Sequence, residues 1–247
     1  NGELALRFDG RLMVCSTAAG PALEGAALSC GMRAAKGAIE HVHISPERIE
    51  LDVIGNVAPI GLCGSGIIDI IAELLNAGVI DEYGSIRQPE EFPPSTPGYL
   101  RERIVTINDQ PAFLISTNSD GRDVNLTQRD IRQVQLAKGA IHTGIVLLLK
   151  QMSLTPDDLD ELLLAGAFGN YIRKESARRM GLLPNIPLEK IRFVGNAAST
   201  GAKMSLLSSK VRGEADIIRA RTDHLELANL PEFTNTLGES MLFPSNV

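Results

Sequence analysis

Only three cysteines occur in the 247 residues, Cys15, Cys30 and Cys63, an odd number with no CxxC pair. That spacing argues for free thiols in a reducing compartment, so a cytoplasmic location is expected. It also argues against a zinc or iron–sulfur site within the chain. Tryptophan is absent, aromatic residues make up 4%, and the formal net charge is −6. No basic stripe with interleaved aromatics is present, which removes nucleic acid from the expected partners. Long apolar runs are missing too. The longest, Ile145 to Leu149, is far too short to cross a bilayer, so no membrane partner is expected. No secretory leader is recognisable. The chain opens Asn1-Gly2-Glu3 without an initiator Met and runs straight into Leu4-Ala5-Leu6, which reads as the middle of a hairpin. The expectation is that a preceding part is absent and that only half of a site is present.

What remains is an ordinary globular composition, 44% apolar and 22% charged, on a chain long enough to bury a large core. The stretch that organises it is Asp160 to Ile172, DELLLAGAFGNYI. Leu162 to Leu164 reads as a strand buried on both faces. It stops at the small residues Gly166 and Gly169, where the backbone can turn tightly and come close to a ligand. A helix is predicted over Glu175 to Met180. Strand, glycine turn, helix is how α/β folds present backbone N–H groups at the carboxyl end of a sheet. The alternative is a tight structural turn with no ligand. The device recurs: Ile191 to Val194 reads as a second buried strand, ending in Gly195-Asn196-Ala197-Ala198-Ser199-Thr200-Gly201. The repetition predicts two strand ends lining one cleft.

In chain order, Asp9-Gly10 predicts a hairpin turn between short strands within 3–16. Ser16-Thr17-Ala18-Ala19-Gly20-Pro21 follows as a loop of small residues, either a place of close ligand approach or an ordinary packed turn. Residues 37–58 alternate as strands; His41 and His43 share a strand face, without a third residue to make a metal site. Gly64-Ser65-Gly66 opens a helix over Ile67 to Leu75 with Asp69 and Glu73 on its polar side. Such a helix start can hold phosphate, although the P-loop pattern is missing; the alternative is close helix–sheet packing through Gly64 and Gly66. The Pro-rich stretch within 81–102 reads as a surface excursion inside one domain. Thr127 and Asp130 make a variant capping box for a long helix whose apolar stripe runs from Ile131 to Met152. Within it Gln135 and Lys138 can reach one ligand, or belong to a solvated face. Helices are predicted from Gly201 to about Ser208 and from Glu214 to about Arg221, with Phe233 and Phe243 anchoring the tail.

Taken together, NGEL at 1–4, CSTAAGPALEGA at 15–26, CGMRAAKGAI at 30–39, GLCGSGIID at 61–69, TQRDIRQVQLAKGAI at 127–141, LLLAGAFGNYI at 162–172, GLLPNIP at 181–187, VGNAASTGA at 194–202 and ESMLFP at 239–244 resemble one family. It is the C-terminal ATP-binding region of the reductive activators of corrinoid proteins. The resemblance implies an α/β fold: a ribonuclease-H-like lobe of the acetate and sugar kinase, Hsp70 and actin superfamily, with a mixed sheet and helices on both faces. Residues 1–247 would be its C-terminal lobe, with the first lobe and an N-terminal 2Fe–2S domain lying upstream. It further implies ATP or ADP with Mg as ligand, a corrinoid methyl-carrier protein as partner, and an assembly compatible with a homodimer. Asn1, Gly2 and Glu3 would remain of a phosphate-holding hairpin. Gly166, Ala167, Phe168, Gly169 and Asn170 would form the adenosine turn. Gly64, Ser65, Gln135, Lys138 and Asn196 complete the candidate nucleotide-binding set, and Ser16 would face the cobalt. Two other readings stay open: a small-molecule kinase or ATPase, with Glu24 or Asp69 as base, and a non-catalytic interaction module.

Overall fold

The computed structural model describes residues 2–118, 121–166 and 171–245. The Asp9-Gly10 signal forms the predicted hairpin. Strand β1 (Gly2–Phe8) pairs antiparallel with β2 (Arg11–Thr17). Asp9 and Gly10 both have positive φ, 46° and 75°, which a tight two-residue turn between twisted strands requires. Next, β3 (Ala38–Ile44) pairs antiparallel with β4 (Ile49–Val53) and parallel with β5 (Gly61–Leu62). Helix α1 (Gly64–Asn76) follows directly. Strands β6 (Ile104–Ile107), β7 (Gln110–Ser116) and β8 (Val124–Thr127) form an antiparallel meander.

Helix α2 (Gln128–Gln151) starts at the expected box: Asp130 N–H donates to Thr127 Oγ1 at 3.2 Å, and Thr127 N–H donates to Asp130 Oδ2 at 2.9 Å. The rest of the chain supplies β9 (Leu162–Ala165), α3 (Lys174–Arg179), β10 (Ile191–Gly195), α4 (Ala197–Leu207), α5 (Ser209–Ala220), β11 (Thr222–His224) and α6 (Phe233–Met241). β9 and β10 are parallel neighbours, and β11 joins β2 in parallel. The described residues thus form four small sheets, two of them mixed.

Two apolar clusters hold these layers. The larger gathers α1, the first half of α2, β3, the β7–β8 hairpin and the 177–191 segment, with Ile67, Ile70, Phe113, Ile131 and Ile191 fully buried. In the smaller, the second half of α2 covers the β1–β2 hairpin through Met13, Cys15, Leu147, Leu148 and Met152. Close approach there rests on Gly144, where a Cβ would sit 2.6 Å from Leu4 Cδ1 and Thr17 Cγ2.

One expectation needs correction. The leucine strand is not buried on both faces. Leu162 and Leu164 pack on the core while Leu163 is 54% exposed, because no described element covers the outer face of the two-stranded β9–β10 sheet. The polar side of α1, with Asp69 and Glu73, is turned to β3. The 81–102 excursion buries Phe92, Thr96 and Leu100, and Thr96 Oγ1 donates to the Ala77 carbonyl at 2.6 Å.

Helix α1 is buried almost all round, and its first turn touches β3 backbone to backbone. A Cβ on Gly66 would lie 2.2 Å from the Ile39 carbonyl oxygen. Gly→Ala inside a helix ordinarily gains about 1 kcal/mol. Gly66→Ala should reverse that sign and destabilise by roughly 2 kcal/mol or more, since a strand carbonyl cannot step aside. The urea midpoint measures it.

Candidate functional site

The parallel pair β9–β10 brings the two glycine turns side by side, as the repeated pattern predicts. Gly166 N–H donates to the Gly195 carbonyl at 2.7 Å. Gly166 (φ 105°) and Gly195 (φ 68°) both sit in the conformation that disfavours side chains, and among the described residues nothing lies within 4 Å of where either Cβ would be. Among those residues, the backbone at the carboxyl end of the two strands is uncovered. α4 begins next to it, and the exposed Asn196 caps it by accepting from Ser199 N–H at 3.0 Å. Backbone donors, a helix start and an unfilled space are what an anionic or flat ligand such as a nucleotide needs. Ala167, Phe168, Gly169 and Asn170, expected to complete this turn, lie outside the described residues, as does Asn1.

On the β1–β2 hairpin, Glu3 and Ser16 are direct cross-strand partners and both are exposed. The two side chains therefore stand together on the face turned away from α2. Gly2 is on the other face: its carbonyl accepts from Thr17 Oγ1 at 3.0 Å, and a Cβ there would press on Ile141. Gly64 and Ser65 are buried, with Ser65 Oγ 3.5 Å from Cys63 Sγ. With Gly66 closed against Ile39, this geometry matches the helix–sheet packing alternative.

Gln135 and Lys138 are also buried, 2% and 1% exposed, and they meet the tail. Gln135 Nε2 donates to the Met241 carbonyl at 3.0 Å and to the Tyr83 carbonyl at 3.1 Å. Lys138 Nζ donates to the Leu242 carbonyl, and Phe243 N–H donates to the Glu82 carbonyl at 2.8 Å. The tail's role as a partner of α2 was not readable beforehand; its ESMLFP motif was the available signal. Burial pushes the Lys138 ammonium down to about 7, and burial together with Lys138 pushes His142 down to about 4.

A second cluster escaped the sequence reading. Asp69 is fully buried, and its Oδ2 meets His41 Nδ1 at 2.9 Å, Arg173 Nε at 3.5 Å and Val42 N–H at 3.4 Å. One helical turn on, Glu73 Oε1 lies 3.6 Å from His43 Nδ1, and its Oε2 accepts from Ile44 N–H at 2.8 Å. Four helical residues rise about 6 Å and two strand residues about 6.6 Å, so the pairs stay in step. The histidines are therefore satisfied by carboxylates, and among the described residues no group of three or more His, Cys, Asp or Glu is placed to hold a metal ion. Asp69, committed in this way, is not free to act as a base toward a substrate; Glu24 is exposed.

A family model described as the C-terminal domain of RACo, the ASKHA domain, matches residues 1–247. The chain belongs to this family. Among relatives of this ASKHA domain, the corrinoid activation enzyme RamQ of Eubacterium limosum is 43% identical over 251 residues, covering 100% of this chain and 42% of that protein. A Co(II) methylated amine-specific corrinoid protein reductase of Methanosarcina barkeri is 27% identical over 258 residues, covering 95% of this chain and 43% of that protein. A solved structure of a reductive activator for corrinoid, iron–sulfur protein superposes with a TM-score of 0.86 at 34% identity, over 98% of this chain and 38% of that one. The chain spans about two-fifths of the length of the curated relatives it matches. Among the described residues, no helix of this domain is long and apolar enough to cross a membrane.

Two outcomes follow for stability. Asp69→Asn turns an amide N–H toward groups that donate to the carboxylate, and should cost about 2–4 kcal/mol by denaturant unfolding. Folded Lys138 releases its proton near pH 7, whereas the unfolded chain keeps it up to the ordinary 10.5. The unfolded state therefore binds more protons above pH 7, and stability should rise from pH 7 to 9. Above pH 9 the buried Cys15 thiol, pushed up to about 11, works in the opposite direction. Lys138→Met should flatten the rise between pH 7 and 9.

Proposed function

We propose that this domain is the nucleotide-binding and partner-docking portion of an ATP-dependent reductive activator that returns a Co(II) corrinoid protein to Co(I) for methyl transfer. The observation that carries the reading is the pair of open glycine turns at the ends of β9 and β10, in a chain whose family is an ASKHA domain. The names of its relatives supply the corrinoid partner. On this reading residues 1–247 are the C-terminal lobe, accompanied by a further nucleotide lobe and a 2Fe–2S domain, for which the relatives' greater length leaves room. The free cysteines suit a reducing cytoplasm.

In this reading Gly166 and Gly195 let the backbone approach the nucleoside, with residues 167–170 and Asn196 around it. Gly2 and Glu3 belong to the phosphate and Mg side. Ser16, beside Glu3 on the exposed hairpin face, approaches the cobalt of the docked partner. A strong axial donor makes Co(II) harder to reduce, and a weak oxygen donor in its place raises the potential. Bound nucleotide supplies binding energy that differs between docked states, and so shifts the equilibrium between them. The kinase reading loses ground because Asp69 is buried and paired.

The test is a visible-spectrum titration of a Co(II) corrinoid methyl-carrier protein with this chain, with and without MgATP. A band shift that depends on MgATP and is weakened by Ser16→Ala supports the reading. A shift indifferent to both removes the roles given to Ser16 and to nucleotide. MgATP should also raise the Tm of the chain. Gly166→Val, forced into a strained backbone region, should abolish that rise while costing about 1–2 kcal/mol of intrinsic stability. An unchanged rise would move the nucleotide elsewhere, and no rise in the parent chain would favour a non-catalytic interaction module.

A further inference from the structure

The tail borders an open cavity of about 310 Å³ whose lining includes Lys138, His142, Glu239, Ser240, Leu242 and Phe243. Gly166, Gly195 and Asn196 are not part of that lining. We propose that this cavity binds a small monocarboxylate, with the Lys138 ammonium as its charge partner.

The lining carries a buried amine, Lys138 at 1% exposure, with no acidic partner among the described residues. Its ammonium donates to the Leu242 carbonyl and lies 5.2 Å from the centre of the Phe243 ring. An ammonium has three N–H donors, so these contacts leave hydrogen-bonding capacity unused at the cavity. Burying a cation without a counterion is costly, and burial pushes the Lys138 ammonium down to about 7. A carboxylate in the cavity supplies the missing charge and a charge-assisted hydrogen bond.

The remaining lining narrows the class. His142 is neutral, with Nδ1 3.2 Å from Ser240 Oγ, so the pair offers polar contacts without charge. Glu239 is exposed and adds a negative charge to the lining. From the α3 side, Arg179 is occupied by the Pro244 carbonyl at 2.7 Å and by Asn76 Oδ1 at 2.6 Å. One buried cation beside one acidic group favours a single negative charge over two. The volume holds about ten water-sized atoms, and Leu242 and Phe243 suit a short apolar body.

The proposal stands apart from the nucleotide reading and is tested separately. Acetate is titrated into the chain at constant ionic strength, balanced with chloride, and followed by calorimetry. Saturable binding is expected at pH 6. By linkage to the Lys138 proton it should be about thirtyfold weaker at pH 8.5. Lys138→Met should remove it. Glu239→Gln, an exposed change with little folding risk, should tighten it several-fold. The proposal is overturned by absence of saturable binding at pH 6, by an affinity independent of pH, by equal binding to Lys138→Met, by tighter binding of sulfate than of acetate, or by an unchanged affinity in Glu239→Gln.

Discussion

A carboxylate with no exposure to water needs hydrogen-bond donors from the fold around it, and Asp69 makes that demand at the centre of this chain. Three pieces answer it: His41 and the Val42 N–H from β3, and Arg173 from the segment that enters α3. Arg173 reaches further, donating to the Val42 carbonyl at 3.1 Å. The chain leaving the end of β9 is thereby tied to the strand beneath α1. β9 ends at Ala165 and Gly166 follows it, and eight residues beyond the strand end Arg173 fastens the chain to the buried Asp69.

Glycine serves two opposite purposes here, and the contrast separates packing from presentation. At Gly66 and Gly144 the missing side chain is already replaced by a neighbour, the Ile39 carbonyl in one case and Leu4 with Thr17 in the other. Those glycines bring layers together. At Gly166 and Gly195 no described residue fills the space and the backbone is in a conformation side chains resist. Those glycines keep the surface clear. In sequence, GLCGSG and LAGAFGNY look alike, as glycines around a boundary between regular elements. Only the neighbours, supplied by distant residues, tell the two uses apart.

That distinction marks the limit of legibility. Features set by adjacent residues could be read directly: the Asp9-Gly10 turn, the Thr127–Asp130 box, the strands of 37–58 and the twofold strand-and-glycine device. Family membership was legible in the scattered motifs. Features set by remote residues were not. Asp69 and Arg173 are separated by 104 positions, as are Lys138 and the Leu242 carbonyl that holds it. A helix carrying Gln135 and Lys138 three apart could have turned them to water or to a ligand. That they meet a tail carbonyl and a cavity depends on where α6 returns. The outer face of β9 misled for a similar reason, because three leucines in a row describe a strand without describing what covers it.

Any reading in which nucleotide shifts docking needs an element with two arrangements, and burial indicates where one can exist. α2 is a poor candidate. It spans both apolar clusters, touches the hairpin through Gly144 and the tail through Gly139, and has no slack at either glycine. α4 and α5 are different. Neither has a buried residue, each packs chiefly against the other, and Leu206 and Leu207 are 77% and 86% exposed. Their displacement breaks few buried contacts, and α4 starts at Asn196, beside the Gly166–Gly195 bond. The adaptable part of the molecule therefore begins at the open turns, while the parts that hold Glu3 and Ser16 are braced by α2. A ligand seated at those turns would lie beside the start of this helix pair, through which differential affinity can be expressed.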